Sequence, residues 1–409
     1  MIIRRLGYSS LIPAIRFLSV FLLTVVLTKV VSIEDYGLWS LFISISGLAV
    51  TVGSLNLMYS SQVLLSDYKD EDKPSIISNL FILKFIATLI LSLVINSYVL
   101  FIGIFDYEIF LVALLYIAFR VCTDFFFGIA RALLMIRQQF IIFFIENVSI
   151  VIFIFLYTDN IGSYYIKDIL TLAALGQIIS SLYGYLVIKK YVIFTNIKLS
   201  AIKKFISMGL FLIPFSYLDL IIASFTPFVI QLYLGLSNVA LYSLAQKIAL
   251  VVTVPGSILS NIYIQTYKKS LKNSDLSVQK NLKNTLYLFI IGTIVVGIAL
   301  VIFSREIIIL LSNTSYLDSI ALVSLLVICN ILVVFNSFTN YFLIIYKQER
   351  FIFYLWLFML VLYFPSTIFM IKIIGINGAI YSILLISLLG LSFSLRKYSS
   401  INTIPNNSC

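Results

Sequence analysis

The sequence predicts an all-α polytopic membrane protein of about twelve transmembrane helices, arranged as two six-helix parallel repeats with the N- and C-termini cytoplasmic. Three observations lead there. Of the 409 residues, 61% are hydrophobic and 11% charged, with a mean hydropathy of +1.10. A soluble chain is nearer half apolar and a quarter charged, so the bilayer has to be the solvent for most of this one. The apolar residues fall into twelve runs, each near the roughly 20 residues a helix needs to cross hydrocarbon. A short polar motif also recurs half a chain later, and such periodicity defines an architecture before any single residue does.

The motif is Ser32-Ile33-Glu34-Asp35-Tyr36-Gly37-Leu38-Trp39-Ser40-Leu41, and its second copy is Ser237-Asn238-Val239-Ala240-Leu241-Tyr242-Ser243-Leu244. A register of 203 residues sets Asp35 on Asn238, Gly37 on Ala240, Leu38 on Leu241, Trp39 on Tyr242, Ser40 on Ser243 and Leu41 on Leu244. Gln62 and Gln265 meet in the same register. Each copy sits in a polar break between two long apolar runs. Glu34 and Asp35 open the helix after the break, where carboxylates favour the positive helix end.

The first six spans are read as 9–31, 38–60, 77–102, 108–130, 139–158 and 166–188. The second six are 206–232, 238–262, 284–304, 317–345, 351–372 and 376–395, of which 317–345 is the longest. The first run follows Arg4-Arg5 and resembles a signal peptide for one turn. It is too long for one and lacks a small-x-small cleavage site, so it reads as an uncleaved transmembrane helix.

Lys and Arg collect on the cytoplasmic side of a membrane. With the N-terminus inside, 20 of the 28 Lys and Arg residues fall in inside segments, against Lys29, Lys167, Arg305 and Lys372 outside. The alternation holds across all twelve spans. It accounts for the net charge of +11 without nucleic acid as a partner. The domains expected are an N-terminal lobe 1–188, a basic cytoplasmic linker 189–205, a C-terminal lobe 206–398 and a disordered tail 399–409. Six spans per repeat is an even number, so both repeats keep one orientation. In transporters built that way the substrate site lies between the halves.

Histidine is absent, which removes the usual general base and the commonest metal ligand. The three cysteines form no CxxC or disulfide pattern, and no metal site is expected. The chemistry therefore rests on seven ionisable residues inside the spans: Arg16, Lys84, Arg120, Asp124, Glu146, Asp219 and Lys247. A charge at the bilayer centre costs about 2.5–3.5 kcal/mol, so such groups face a bundle interior or a wet cavity. Lys84 and Glu146 lie within two turns of a span end, where snorkelling to headgroups is the alternative. Arg120 and Asp124 are spaced i,i+4 and share one helix face, which allows an internal pair. Arg16 and Asp219 stand at equivalent places in the 203-residue register.

The second span carries a stripe of small residues, Ser40, Ser44, Gly47, Thr51 and Ser54. Such a stripe suits close helix packing or a cavity wall. Its second copy reads Ser243, Lys247, Leu250, Val254 and Ser257, so Lys247 replaces Ser44. A lysine fits a cavity that faces an anion better than a packing seam. In span ten, Asn330, Ser337 and Asn340 share a face, and a looser register of 210 residues sets Arg120 on Asn330.

Glu34-Asp35-Tyr36-Gly37-Leu38-Trp39-Ser40-Leu41 is similar to the motif between helices one and two of the Wzx-type O-antigen and capsule flippases, the polysaccharide-transport branch of the MOP superfamily. The run from Gly209 through Ile213-Pro214 resembles the seventh helix of that family. Leu241-Tyr242-Ser243-Leu244-Ala245-Gln246-Lys247-Ile248-Ala249 resembles its eighth, and the twelve-span layout is MATE/MOP-like throughout. Family members often carry an Asp-Arg pair late in helix seven, where this chain has Thr226-Pro227; the role of that pair is not carried over.

The resemblance implies a flippase, not an enzyme, in the bacterial plasma (inner) membrane. Its substrate would be an undecaprenyl-diphosphate-linked oligosaccharide, moved from the cytoplasmic to the outer leaflet by alternating access. No cofactor is implied, and coupling to a proton or sodium gradient is left open. Implied partners are membrane lipid and the polymerase and chain-length proteins of the same pathway. A diphosphate is anionic, so Arg16, Arg120, Lys247 and Lys84 become the candidate substrate-binding residues. Asp124, Asp219 and Glu146 would tune the charge or carry a coupling ion, and Ser40, Ser44, Thr51 and Asn330 would line the cavity. Two rivals stand beside this reading. One is a small-molecule or ion antiporter of the same superfamily. The other is a membrane glycosyltransferase or O-antigen polymerase, which short outside loops disfavour.

Overall fold

The computed structural model describes residues 18–65, 68–160, 165–192, 199–253, 276–346 and 348–402, and the described residues contain helices and no strand. The first half holds α1 (Leu18–Val30), α2 (Ile33–Gly53), α3 (Leu57–Leu64), α4 (Lys73–Phe101), α5 (Tyr107–Ala132), α6 (Ile136–Asn160) and α7 (Ile166–Ile188). Then come α8 (Leu199–Leu234), α9 (Leu236–Ala249), α10 (Leu276–Ile302), α11 (Ser304–Leu311), α12 (Ser319–Ile345), α13 (Glu349–Ile374) and α14 (Ile376–Asn402).

Each of the twelve expected spans that is described is largely helical, with a break inside the second at Ser54–Asn56. Nine described helices are long and apolar enough to cross a membrane by themselves, and a bent pair with a 67° turn, Phe289–Ile302 and Ser304–Leu311, makes a tenth. Some boundaries differ from the sequence reading. The 36-residue α8 is longer than α12, which covers span 317–345. Lys189–Tyr191 forms a short 3-10 turn and α8 already begins at Leu199, inside the expected linker. Helix α14 continues to Asn402, past the expected start of the tail, and 403–409 lie outside the described residues.

The chain divides into two compact units, Met1–Phe228 and Val229–Cys409, with the division inside α8. In the first unit α5 is the hub and packs on α2, α3, α4, α6 and α7. In the second, α12 packs on α9, α10, α13 and α14.

Most register partners of the repeated motif are buried in both copies; of Leu38 and Leu241 only Leu38 is buried. Trp39 and Tyr242 are buried, as are Ser40 and Ser243, Leu41 and Leu244, and Gly37 and Ala240. In the first copy Ser32 caps α2, its hydroxyl accepting from the Asp35 N–H at 3.1 Å and donating to the Asp35 carboxylate at 2.7 Å. The carboxylates of the motif thus serve the helix start, as the N-terminal dipole favours. Asp106 does the same for α5, accepting from the Ile109 N–H at 2.8 Å. That bond, helped by Lys167 at 2.9 Å, holds the Asp106 carboxyl below its ordinary range.

The second span is broken. Between α2 and α3, Leu55 and Asn56 take left-handed backbone, with φ of 48° and 53°, a conformation rare for a residue such as leucine. Helices α2 and α4 run antiparallel: Gly53 lies against Thr88, and the Phe42 and Phe105 rings stand 6.3 Å apart. A Cβ on Gly53 would fall 2.6 Å from the Thr88 Cα, so only glycine allows that approach.

Candidate functional site

Four of the seven intramembrane ionisable residues come together in the first unit. They form two ion pairs between neighbouring helices: Lys84 of α4 with Asp124 of α5, and Arg120 of α5 with Glu146 of α6. The i,i+4 spacing allows an internal pair of Arg120 with Asp124; the structure seats each against a partner on the next helix. It also corrects the snorkelling option. Lys84 has no exposed side-chain surface, and the Glu146 side chain is only 9% exposed. Inside the bundle the partner carboxylate or guanidinium supplies the charge that water would have supplied.

Each pair is half hidden. The buried members are Lys84 and Glu146, whereas Asp124 and Arg120 keep 38% and 32% of their side chains exposed. The exposed members are both on α5, one turn apart. On that helix Leu111 and Leu115 are exposed, 47% and 43%, and mark its lipid-facing side. Arg120 follows Leu111, and Asp124 follows Leu115, by nine residues, which is two and a half turns of α-helix. Arg120 and Asp124 therefore point away from lipid. Two cations and two carboxylates leave this cluster formally neutral, so its chemistry is that of an alternating array and not of a cationic lining alone.

Helix α4 adds a feature that the sequence reading passed over. Lys84, Thr88, Ser92 and Asn96 recur every four residues and all are completely buried. Ile82, Ile86 and Ile90 on the other side are exposed. The spacing of four was there to be read, but spacing by itself does not say which face a helix buries. The Oγ1 of Thr88, the Oδ1 of Asn96 and both amide atoms of the Gln177 side chain on α7 are buried without a hydrogen-bond partner among the described residues. The Thr123 hydroxyl donates to the Gln177 carbonyl at 3.4 Å. The interior of this unit is thus polar along much of α4.

The remaining sequence candidates are placed as follows. On α2, Ser40 is buried, while Ser44, Gly47 and Thr51 are half-buried, as are their neighbours Ile43, Leu48 and Val52. A Cβ at Gly47 would meet the Ser224 hydroxyl of α8 at 3.6 Å, an ordinary contact, so part of that stripe is a packing seam. In the second unit Lys247 is half-buried on α9, one turn after the buried Ser243; Val254 and Ser257 lie outside the described residues. Asn330 on α12 is half-buried, and its Nδ2 is buried without a partner among the described residues. Arg16 lies outside the described residues, and Asp219 is on α8 where only the backbone is described.

A cavity of about 470 Å³ opens where α2, α5 and α7 begin, lined by Asp35, Glu108, Lys167, Asp168 and Tyr165 among others. Lys167 bridges Asp106 at 2.9 Å and Glu108 at 2.8 Å, and the Tyr157 hydroxyl donates to Asp168 at 2.5 Å. These carboxylates are taken up by helix starts, by Lys167 and by Tyr157.

The protein family described as polysaccharide biosynthesis protein matches residues 2–264, from the first span through both copies of the motif. The chain belongs to this family. It is the Wzx-type flippase family that the motif resembles, and its members are membrane transporters and not enzymes.

Solved structures show the same fold. A multidrug resistance MATE family transporter of the MOP superfamily, in its inward-facing conformation, superposes with a TM-score of 0.68 at 16% identity, over 94% of this chain and 95% of its own. An outward-facing MATE family transporter of the MOP superfamily gives 0.62 at 16% identity, over 97% and 96%. A MOP superfamily transporter from Pyrococcus furiosus, described as having a binding pocket of reverse polarity that suggests a different function, gives 0.61 at 16% identity, over 98% and 96%. No curated protein matches this sequence.

Proposed function

We propose that this polysaccharide biosynthesis protein flips an undecaprenyl-diphosphate-linked O-antigen or capsule repeat unit from the cytoplasmic to the outer leaflet of the bacterial plasma membrane, by alternating access. The observation that carries the reading is Arg120: a family member keeps a guanidinium one-third exposed on the helix side turned away from lipid. A guanidinium is the side chain best suited to a phosphate, which it grips through two parallel hydrogen bonds.

In this reading Arg120, Lys247 and Arg16 meet the diphosphate. Lys84, wholly buried, acts from behind Asp124 and does not touch substrate. Glu146 and Asp219 tune the charge or serve ion coupling. Ser44 and Thr51, the half-buried part of the α2 stripe, and Asn330 line the path, with Ser40 behind them. The lobes are 1–188 and 206–398, joined by the basic segment 189–205 on the cytoplasmic side. The polymerase and chain-length proteins of the pathway would receive the product.

The test uses a strain that lacks its own flippase and accumulates lipid-linked repeat units. The full chain is expected to restore surface polysaccharide and clear the accumulated lipid. Resistance to small cationic compounds without any change in that lipid would instead support the antiporter reading.

A further inference from the structure

Arg120 and Asp124 on α5 are each about one-third exposed. Seen from its open side, the helix presents one cation and one carboxylate a turn apart, at about 5–6 Å between their Cβ atoms. Each is braced from behind by a buried counter-charge, Glu146 behind Arg120 and Lys84 behind Asp124. A carboxylate accepts hydrogen bonds and cannot donate them, whereas a guanidinium only donates. The couple therefore suits a ligand that carries an anionic acceptor next to a hydrogen-bond donor. A bare diphosphate offers acceptors only and sets like charge against Asp124. A glycosyl diphosphate offers phosphate oxygens and, on the adjoining sugar carbons, hydroxyl or acylamino donors.

We infer that Asp124 reads the first sugar of the lipid-linked substrate while Arg120 holds its diphosphate, so that the pair admits the glycosylated carrier and rejects the same carrier without sugar. The inference rests on the flippase reading and deepens it. Discrimination comes from a repulsive element as much as an attractive one. Lys84 is a positioning residue: with no exposed surface of its own, it fixes the Asp124 carboxylate as an acceptor.

The experiment uses the full chain in nanodiscs and two probes, undecaprenyl diphosphate and undecaprenyl diphosphate carrying a single N-acetylhexosamine. The wild-type protein is expected to bind the glycosylated lipid at least 10-fold more tightly. Asp124→Asn keeps shape and loses charge, and should lower that ratio several-fold by gaining affinity for the bare carrier. Asp124→Leu alone would leave Lys84 buried and unpaired, so it is combined with Lys84→Met. The double variant should fold, by its thermal melt, and bind both lipids alike. Arg120→Gln should weaken both to the same degree and leave the ratio unchanged. A folded double variant with the wild-type ratio would overturn the role of Asp124 while leaving the flippase reading intact. Failure of the wild-type protein to bind either lipid would overturn the flippase reading, and this inference with it.

Discussion

Gly209 on α8 lies so close to the main-chain carbonyl of Leu55 that a Cβ built on it would stand 2.3 Å from the oxygen. Leu55 is one of the two left-handed residues that break the second span. The seventh span therefore backs onto the break in the second through a residue that has no side chain, and Gly209 opens the helix-seven run by which the family was recognised.

Gly209→Ala is expected to destabilise the purified protein by about 1–3 kcal/mol, the usual cost of overpacking, because the nearest atom belongs to the backbone and cannot rotate aside. Gly47→Ala is the control. Its new Cβ would meet only the Ser224 hydroxyl at 3.6 Å and should be tolerated. Thermal melts in detergent decide; equal melting temperatures for the two variants would show that α8 shifts freely over the break.

Glu146 is nearly enclosed and takes its counter-charge from Arg120. Removing one partner of a buried pair costs about 3–5 kcal/mol, whereas removing both can be close to neutral. Arg120→Ala should therefore lower the amount of protein in the membrane, and adding Glu146→Ala should restore it. Transport should stay lost in the double variant if Arg120 meets the diphosphate. Full transport by the double variant would reduce Arg120 to a structural role.

Lys247 is half-buried where the first repeat has Ser44. Lys247→Ser restores the first-repeat pattern and should preserve folding. If the ammonium faces an anionic substrate, polysaccharide export should fall at least several-fold, with partial retention by Lys247→Arg, which keeps charge and changes geometry. Surface polysaccharide, normalised to membrane protein, is the readout. Wild-type export by Lys247→Ser would remove Lys247 from the site.

The Lys and Arg alternation puts residue 160 outside and residue 200 inside. In a background freed of Cys122, Cys329 and Cys409, Asn160→Cys should react with an impermeant thiol reagent added to intact cells, and Ser200→Cys should react only after permeabilisation. The opposite labelling would reverse the proposed orientation.

The sequence by itself determined that the chain is helical and lives in a bilayer, and the nine or ten spans among the described residues fall in its apolar runs; the count of twelve and the doubled six-span unit are what run length and the motif register predict. Those properties are local: hydrophobic run length and a motif register need no knowledge of neighbours. The capping of α2 by Ser32 and Asp35 is local too, since both partners lie within one turn.

What only the tertiary structure decided is which charge meets which. Read along one chain, Arg120 finds Asp124 at i,i+4. In the folded protein α5 is surrounded, and the choice passes to the helices that pack against it: Lys84 arrives on α4, forty residues earlier, and Glu146 on α6, twenty-six residues later. The same holds for the polar face of α4 and for Gly209, whose importance lies in how near another helix comes. Distances between helices depend on the packing of all of them together, and no window of sequence contains that information.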